Sequence, residues 1–418
     1  MKIAVVGGGS TYTPELIDGF ARLSRVLGLA ELTLIDPAED RLNLVGPLGQ
    51  RMFAREQHPG AVTWTTSLEA GLADADIVLI QLRVGGQTAR LSDETFPLEC
   101  GCVGQETTGA GGLAKALRTV PKVLEIAEAV RRFAKPNAWI VDFTNPVGIV
   151  TRALLDAGHR AVGLCNVAIG FQRTFAKALK VEPSRLTIDH VGLNHLTWER
   201  SVLLDGVEML PELLANHAAE LEEHTHQSIG QLRRLGSIPS YYLQFFYRHD
   251  QVVREAATTQ PRAAFVAQVE RELLELYADP KLNTKPEQLA SRGGAFYSEA
   301  AVDLITSLHT NRGDRQVVNM RNGSTFAQLS PDAVVEIPAR ITADGPIAEP
   351  LAVLAPLEAG LISHVSAYEQ LAVEAALHGG RDRVFRALLA HPLVGQYEQA
   401  DTLTDAILRE NKAHLAWA

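Results

Sequence analysis

Over the first 165 residues, short apolar runs alternate with longer stretches whose apolar positions recur every three or four residues. Lys2–Val6, Glu31–Ile35, Ala61–Thr65, Asp76–Gln81, Ala138–Phe143 and Ala161–Cys165 read as strands. Ile77-Val78-Leu79-Ile80 is continuously apolar, as expected of a parallel strand covered on both faces. Helices fit Pro14–Leu29, with Leu16, Ile17, Phe20, Leu23 and Leu27 on one face, then Asp40–Gln57 and Leu113–Ala134. This alternation predicts an α/β fold, a Rossmann-like doubly wound parallel sheet with right-handed crossovers.

The pattern changes near residue 180. Arg185–His190 and Thr197–Leu204 read as longer, partly antiparallel strands, with Asp205-Gly206 as a hairpin turn. Helices follow near 241–255, 262–278 and 296–309. A second strand pair spans 315–341 with Asn322-Gly323 as its turn, and three helices finish the chain. The expected division is a dinucleotide-binding domain over 1–185 and a mixed α+β domain over 186–418 that shares its cleft.

Composition narrows the class. The 418 residues include 39 Lys+Arg and 49 Asp+Glu, a net charge of −10, and 46% are hydrophobic. The acidic balance argues against nucleic-acid and anionic-membrane partners, yet leaves room for a small anionic ligand in a local basic pocket. No apolar run reaches membrane-spanning length, and the N-terminal apolar segment stops at Gly7, so it reads as a strand and not a leader. Three cysteines, Cys100, Cys102 and Cys165, fit reduced thiols and a cytoplasmic location.

The chemistry gathers at strand ends, where open α/β sheets bind ligands. Gly7-Gly8-Gly9-Ser10 follows the first strand and precedes the first helix. Gly7 and Gly9 fill two positions of a dinucleotide fingerprint whose third falls at Tyr12. Asp36, ending the second strand, would accept ribose hydroxyls and repel a 2′-phosphate, which favours NAD over NADP. Cys165-Asn166 ends another strand, and Asp189–Leu196 carries His190 and His195. If that segment is extended, only one of the two histidines enters the cleft. By the same parity, Asp189 and His190 cannot form the His–Asp pair of a 2-hydroxyacid dehydrogenase. His217, His224 and His226 read as surface residues in a polar helical stretch. Arg83-Val84-Gly85-Gly86 with Arg90, the Gln105–Gly112 loop, and Thr144-Asn145-Pro146 are more polar than packing requires. Tyr242, Phe245 and Phe246 share helical spacing, so by pattern alone Tyr242 reads as a packing residue.

In order along the chain, Gly7–Ser10, Gln105-Glu106-Thr107-Thr108-Gly109, Thr144-Asn145-Pro146, Cys165-Asn166-Val167, Gly192-Leu193-Asn194-His195 and Arg292-Gly293-Gly294-Ala295-Phe296-Tyr297-Ser298 resemble glycoside hydrolase family 4. Cys-Asn-Val resembles the 6-phospho-β-glucosidase branch, with Ala168 where that branch carries Pro. The resemblance implies a lactate/malate dehydrogenase-like first domain, bound NAD⁺ and a divalent metal, expected to be Mn²⁺. It further implies oxidation at sugar carbon 3, removal of the carbon 2 proton, elimination of the aglycone, water addition and re-reduction. Carried over residue by residue, it gives Cys165 and His195 as metal ligands. The base is Tyr242 or Tyr241 in Ile238–Leu243, with Arg292 as a nearby cation. Gly7, Gly9, Ser10, Thr11, Asp36 and Arg41 are the dinucleotide set, and Arg90, Glu106, Asn145, Asn166 and Arg292 the substrate set. The implied partner is a phosphorylated glycoside, and the implied assembly a homodimer or homotetramer. An α-glycosidase or unphosphorylated-substrate enzyme of the same family, a 2-hydroxyacid dehydrogenase, and a catalytically inactive NAD-binding sensor are the alternatives.

Overall fold

The structure, a computed structural model, describes residues 1–22, 27–293 and 296–417. Leu23, Gly294 and Ala295 of the sequence features above lie outside these residues. Six parallel strands open the fold: β1 (Lys2–Val6), β2 (Glu31–Ile35), β3 (Ala61–Thr65), β4 (Ile77–Ile80), β5 (Trp139–Asp142) and β6 (Ala161–Gly163). Their spatial order is β3-β2-β1-β4-β5-β6, the dinucleotide-binding order, with its switch point between β1 and β4. The helices between them include α1 (Thr13–Arg22), α2 (Glu39–Arg55), α3 (Gly86–Thr95), α4 (Gly109–Phe133), α5 (Val147–Asp156) and α6 (Val167–Leu179).

Both faces of this sheet are covered, and the two-residue period of a strand sorts its side chains between them. Ala4, Val6, Val78 and Ile80 enter one core with α4 and the C-terminal helices. Ile3, Val5, Ile77 and Leu79 enter the other with α1 and α2. That double burial is why β4 reads as an unbroken apolar run.

The second part of the chain builds a small antiparallel sheet from β7 (Leu186–Leu193) and β8 (Leu196–Leu204), with the short strands Val207–Glu208 and Ile238–Pro239 against β8. The Asp205-Gly206 turn is where it was expected. Strands β9 (Arg315–Arg321), β10 (Val334–Thr342) and β11 (Gly345–Ala348) return to the first sheet. β9 pairs antiparallel with β6 at Asn319 and Gly163, making one sheet of nine strands that crosses the expected domain boundary.

Helices α7 (Arg262–Tyr277) and α8 (Tyr297–Thr310) match expectation, as do the final three, α9 (Pro356–His378), α10 (Arg381–Leu389) and α11 (Tyr397–Asn411). The single helix expected over 241–255 is three pieces: a 3-10 turn over Tyr241–Leu243, a short α-helix over Gln244–Tyr247 and, after the chain leaves helical geometry at Arg248, a helix over His249–Ala256. Asn322-Gly323 is not a two-residue turn either. It opens a connection to residue 333 in which the Asn322 amide donates to carbonyls of Phe326 and Ser330 and its Oδ1 accepts the Phe326 N–H. No helix among the described residues is long and apolar enough to cross a membrane.

Candidate active site

β1, β4, β5 and β6 are parallel neighbours, so their carboxyl ends lie along one edge of the sheet. After β1, the N–H groups of Gly7 and Gly8 both donate to the Ile35 carbonyl at 2.9 Å, tying the turn to β2. Gly7 has φ of 87°, and a Cβ there would lie 2.4 Å from the Gln81 carbonyl oxygen, so glycine is required by both torsion and space. Asp36 Oδ2 accepts the Gly9 N–H at 3.0 Å, and a Cβ on Gly9 would stand 3.0 Å from the Asp36 carboxyl carbon. A bare backbone cradle beside a strand-end carboxylate fits a dinucleotide.

The rest of the expected dinucleotide set is drawn together by Glu270 from α7. Its Oε1 accepts from Thr11 Oγ1 at 3.2 Å and from Gln87 at 3.1 Å, and Arg41 faces Oε2 at 3.6 Å. Arg292 belongs here, over the Tyr12 ring at 5.5 Å and not beside Tyr241 or Tyr242, which corrects its expected position. It donates through Nε to Thr11 Oγ1 at 2.8 Å and through Nη2 to Ser10 Oγ at 3.4 Å.

Cys165, His195 and Tyr242 do come together. β7 ends at Leu193, and a turn of two residues, Asn194 and His195, leads into β8. His195 therefore escapes the strand parity expected of it, with φ of 63°. Its Nδ1 pairs with Thr107 Oγ1 at 2.9 Å, which leaves Nε2 without a partner among the described residues. Burial lowers the His195 pKa to about 4, so the imidazole is neutral, and because Thr107 Oγ1 donates to Gln105 Oε1 at 2.9 Å it accepts from Nδ1–H, which leaves the lone pair on Nε2. Cys165 is buried, and the side chains of Asn194 and Tyr297 lie where they favour its thiolate form. Burial, then Glu336, pushes the thiol well up, so a thiolate there needs a cation beside it. Thiol and imidazole are two donors for a borderline divalent metal. Among the described residues no cluster of three or more His, Cys, Asp or Glu completes a shell, so the remaining positions would fall to substrate and water.

Tyr242 stacks on His195, and burial and then Cys165 push its hydroxyl well above the ordinary range. The cation that opposes this shift is Arg90. Tyr241 points elsewhere. It is 38% exposed and meets the edge of His226 at 4.7 Å.

Glu106 sits at the centre of a cationic cluster. Lys115 Nζ approaches it at 2.7 Å and Arg90 Nη2 at 3.1 Å, and Arg83 donates to Oε2. Burial opposes its charge, but Arg83, Lys115 and Arg90 outweigh that and hold the carboxyl well below its usual range. Arg90 also pairs through Nε with Glu94 Oε1 at 2.7 Å, so three cations face two carboxylates and one positive charge is left for a further anion. Asn145 Oδ1, after β5, is buried with no partner among the described residues, and Asn166 occupies the N-cap position of α6.

Lys115 and Glu336 were not singled out from sequence, and Tyr297 entered only as part of the Arg292–Ser298 resemblance, with no role assigned. Lys115 looks like one more basic residue in an amphipathic helix, and Glu336 lies in a strand whose neighbours are distant in sequence. Two expectations are corrected. His224 is not simply a surface residue, since Nδ1 pairs with Thr174 at 3.1 Å and its ring meets Phe171 at 4.6 Å. Gln105–Gly112 is not all loop, because Gly109–Gly112 form the first turn of α4. Asp189 and His190 diverge as parity requires: Asp189 pairs with Arg200 at 2.9 Å, and His190 with Glu199 and Glu336.

Comparison with known proteins agrees with this geometry. The sequence model for Family 4 glycosyl hydrolase matches residues 2–181, and that for the Family 4 glycosyl hydrolase C-terminal domain matches 190–394. A probable 6-phospho-β-glucosidase of Bacillus subtilis is 40% identical over 99% of this chain and 97% of its own. The structure of the 6-phospho-β-glucosidase from Thermotoga maritima with manganese, NAD⁺ and glucose 6-phosphate superposes with a TM-score of 0.91 at 32% identity, covering 99% of both chains. A malate dehydrogenase from Cryptosporidium parvum, at 16% identity and a TM-score of 0.57 over 90% of this chain and 98% of its own, shares the fold alone.

Proposed function

The chain belongs to glycosyl hydrolase family 4, and on that premise we propose that it is a 6-phospho-β-glucosidase dependent on NAD⁺ and a divalent metal, with Mn²⁺ first choice. In this reading the bound dinucleotide supplies a hydride acceptor for sugar carbon 3, and the metal a Lewis acid for the oxygen there. Asp36 receives the ribose hydroxyls, with Gly7, Gly9, Ser10, Thr11 and Arg41 around the rest of the dinucleotide. Cys165 Sγ and His195 Nε2 hold the metal.

Tyr242 Oη takes the proton from carbon 2, and the aglycone departs with the electron pair of its glycosidic bond. The hydroxyl must ionise to do so, and Arg90 is the side chain that favours its charged form. Arg90 and Asn145 hold the 6-phosphate. Glu106 fixes Arg83, Arg90 and Lys115 near the sugar, and Asn166 stands on the leaving-group side without an acidic proton. The observation that carries the reading is the stack of Tyr242 on a neutral His195 beside the Cys165 thiol.

The test is hydrolysis of p-nitrophenyl β-glucoside 6-phosphate. Activity requiring both NAD⁺ and Mn²⁺, abolished by EDTA and leaving no net NADH, is the expected result. Turnover that accumulates NADH would instead mark a dehydrogenase. Hydrolysis of the α-anomer alone would change the specificity, and bound NAD⁺ without activity on any phosphorylated glycoside would leave a sensor. We further propose a cytoplasmic homodimer or homotetramer. Its assembly is supported by the exposed apolar side chains of Ile347, Val353 and Leu357 and is read by light scattering.

A further inference from the structure

Behind the Cys165 thiol lies a polar chain that the proposed reaction does not use. His190 on β7 is fully buried between two carboxylates. Its Nδ1 meets Glu199 Oε1 of β8 at 2.5 Å, and its Nε2 meets Glu336 Oε1 of β10 at 3.1 Å. Both acceptors are carboxylate oxygens, so both ring nitrogens donate. The other oxygen of Glu336 accepts the Asn319 amide of β9 at 2.8 Å and the Asn194 amide at 2.9 Å. Asn194, in the turn beside His195, also lies close enough to Cys165 for its side chain to favour the thiolate form of the sulfur.

The amide of asparagine has two faces, one donating and one accepting, and can turn over about its last torsion. An ionised carboxylate only accepts. Glu336 therefore admits the Nδ2 side of Asn194 and refuses the oxygen. One amide hydrogen goes to Glu336, and the second is left for the sulfur. His190 and Asn319 fill remaining acceptor positions of Glu336 and hold it still. The arrangement joins the two sheets at the one point where the thiol must be aimed. Burying so many polar groups is no cheap source of stability, because an apolar replacement of a buried ion pair is often as stable.

We propose that Glu336, held by His190, is a positioning residue that fixes the Asn194 amide so that it donates to the Cys165 sulfur and keeps that sulfur aimed at the metal. The inference rests on reading Cys165 and His195 as the metal pair. Removing a hydrogen-bond partner behind a metal ligand costs about 10–100-fold in metal affinity.

The full-length protein is tested as wild type, Glu336→Gln and Asn194→Ser. Mn²⁺ affinity is read from the free-ion EPR signal, and Co²⁺ loading from its thiolate-to-cobalt charge-transfer absorption. NAD⁺ affinity reports whether each variant is folded. Glu336→Gln lets the amide of residue 194 turn over, and Asn194→Ser removes it. Both are expected to bind Mn²⁺ about 10–100-fold more weakly and to shift the cobalt band, with NAD⁺ affinity unchanged. A variant that binds NAD⁺ yet keeps wild-type Mn²⁺ affinity and an unshifted band overturns the proposal. Asn194→Ser lies outside the buried carboxylate–imidazole group and decides the matter alone if Glu336→Gln does not fold. Wild-type protein without a thiolate–cobalt band would overturn the metal reading itself, a failure distinct from that of Glu336.

Discussion

Tyr242 lies flat on His195, with ring centroids 3.6 Å apart and planes 7° from parallel. The contact sets the tyrosine hydroxyl relative to an imidazole that is itself fixed by Thr107. Tyr242→Phe keeps the stack and removes only the hydroxyl. It is expected to lower kcat by about 10²–10⁴, the range for losing a general base, with NAD⁺ affinity unchanged. Tyr241→Phe is expected to keep most of the activity. Steady-state kinetics on both variants decide between the two tyrosines, and the opposite ranking would transfer the role to Tyr241.

The crowding of Arg83, Arg90 and Lys115 on Glu106 predicts an asymmetry in stability. Glu106→Gln removes the anion that all three share and leaves buried like charges facing one another. Breaking a buried pair from one side costs about 3–5 kcal/mol. Lys115→Met removes one of three cations and leaves the carboxylate paired twice, so it is expected to cost less. Urea midpoints of the two variants test the ranking, and equal midpoints would mean that Glu106 does not bind the cluster together.

Asp36 has two tasks, one inside the protein and one toward the cofactor. Oδ2 caps the Gly9 N–H and Oδ1 the Ala38 N–H, each at 3.0 Å. Asp36→Ala removes a charged acceptor from the ribose, and such hydrogen bonds are worth about 1.5–3 kcal/mol, or roughly 10–100-fold in affinity. NAD⁺ binding should weaken by that factor while discrimination against NADP⁺ narrows. Unchanged preference between the two in fluorescence titrations would remove Asp36 from the ribose site.

Glu369 supplies the pH dependence. It is buried on α9, its Oε2 has no partner among the described residues, and burial, partly offset by Arg152, raises its pKa to about 8 from 4.5. The folded state therefore holds this proton more tightly than the unfolded chain. Stability is fully present below pH 4.5 and is lost progressively as pH rises through 8. Glu369→Gln should remove that component and gain most over the parent above pH 8. Denaturation midpoints followed across this window would show parallel slopes for parent and variant if Glu369 does not titrate there.

The parallel half of the fold is legible because each strand is short, apolar and buried on both faces, so local pattern and tertiary environment agree. The same clarity fails where two requirements conflict. Gly109–Gly112 read as loop because glycine is a poor helix former, yet a Cβ on Gly111 would lie 2.4 Å from the carbonyls of Asp93 and Gln105. Packing, not flexibility, put those glycines into a helix. Cys165, His195 and Tyr242 stood out through family resemblance, whereas pattern alone favoured packing for the tyrosine. Lys115 and Glu336 carried no local signal at all. Their significance comes from partners on other elements, Glu106 in one case and His190 and Asn194 in the other.

The junction of β6 with β9 also bears on how the protein is made. Gly163 pairs with Asn319, so during synthesis the outer side of β6 waits for roughly 150 more residues before its neighbour leaves the ribosome. At ordinary elongation rates that is about ten to thirty seconds. For that interval the nascent first half presents a bare apolar strand edge to other chains, the kind of surface on which chaperones act and aggregates begin.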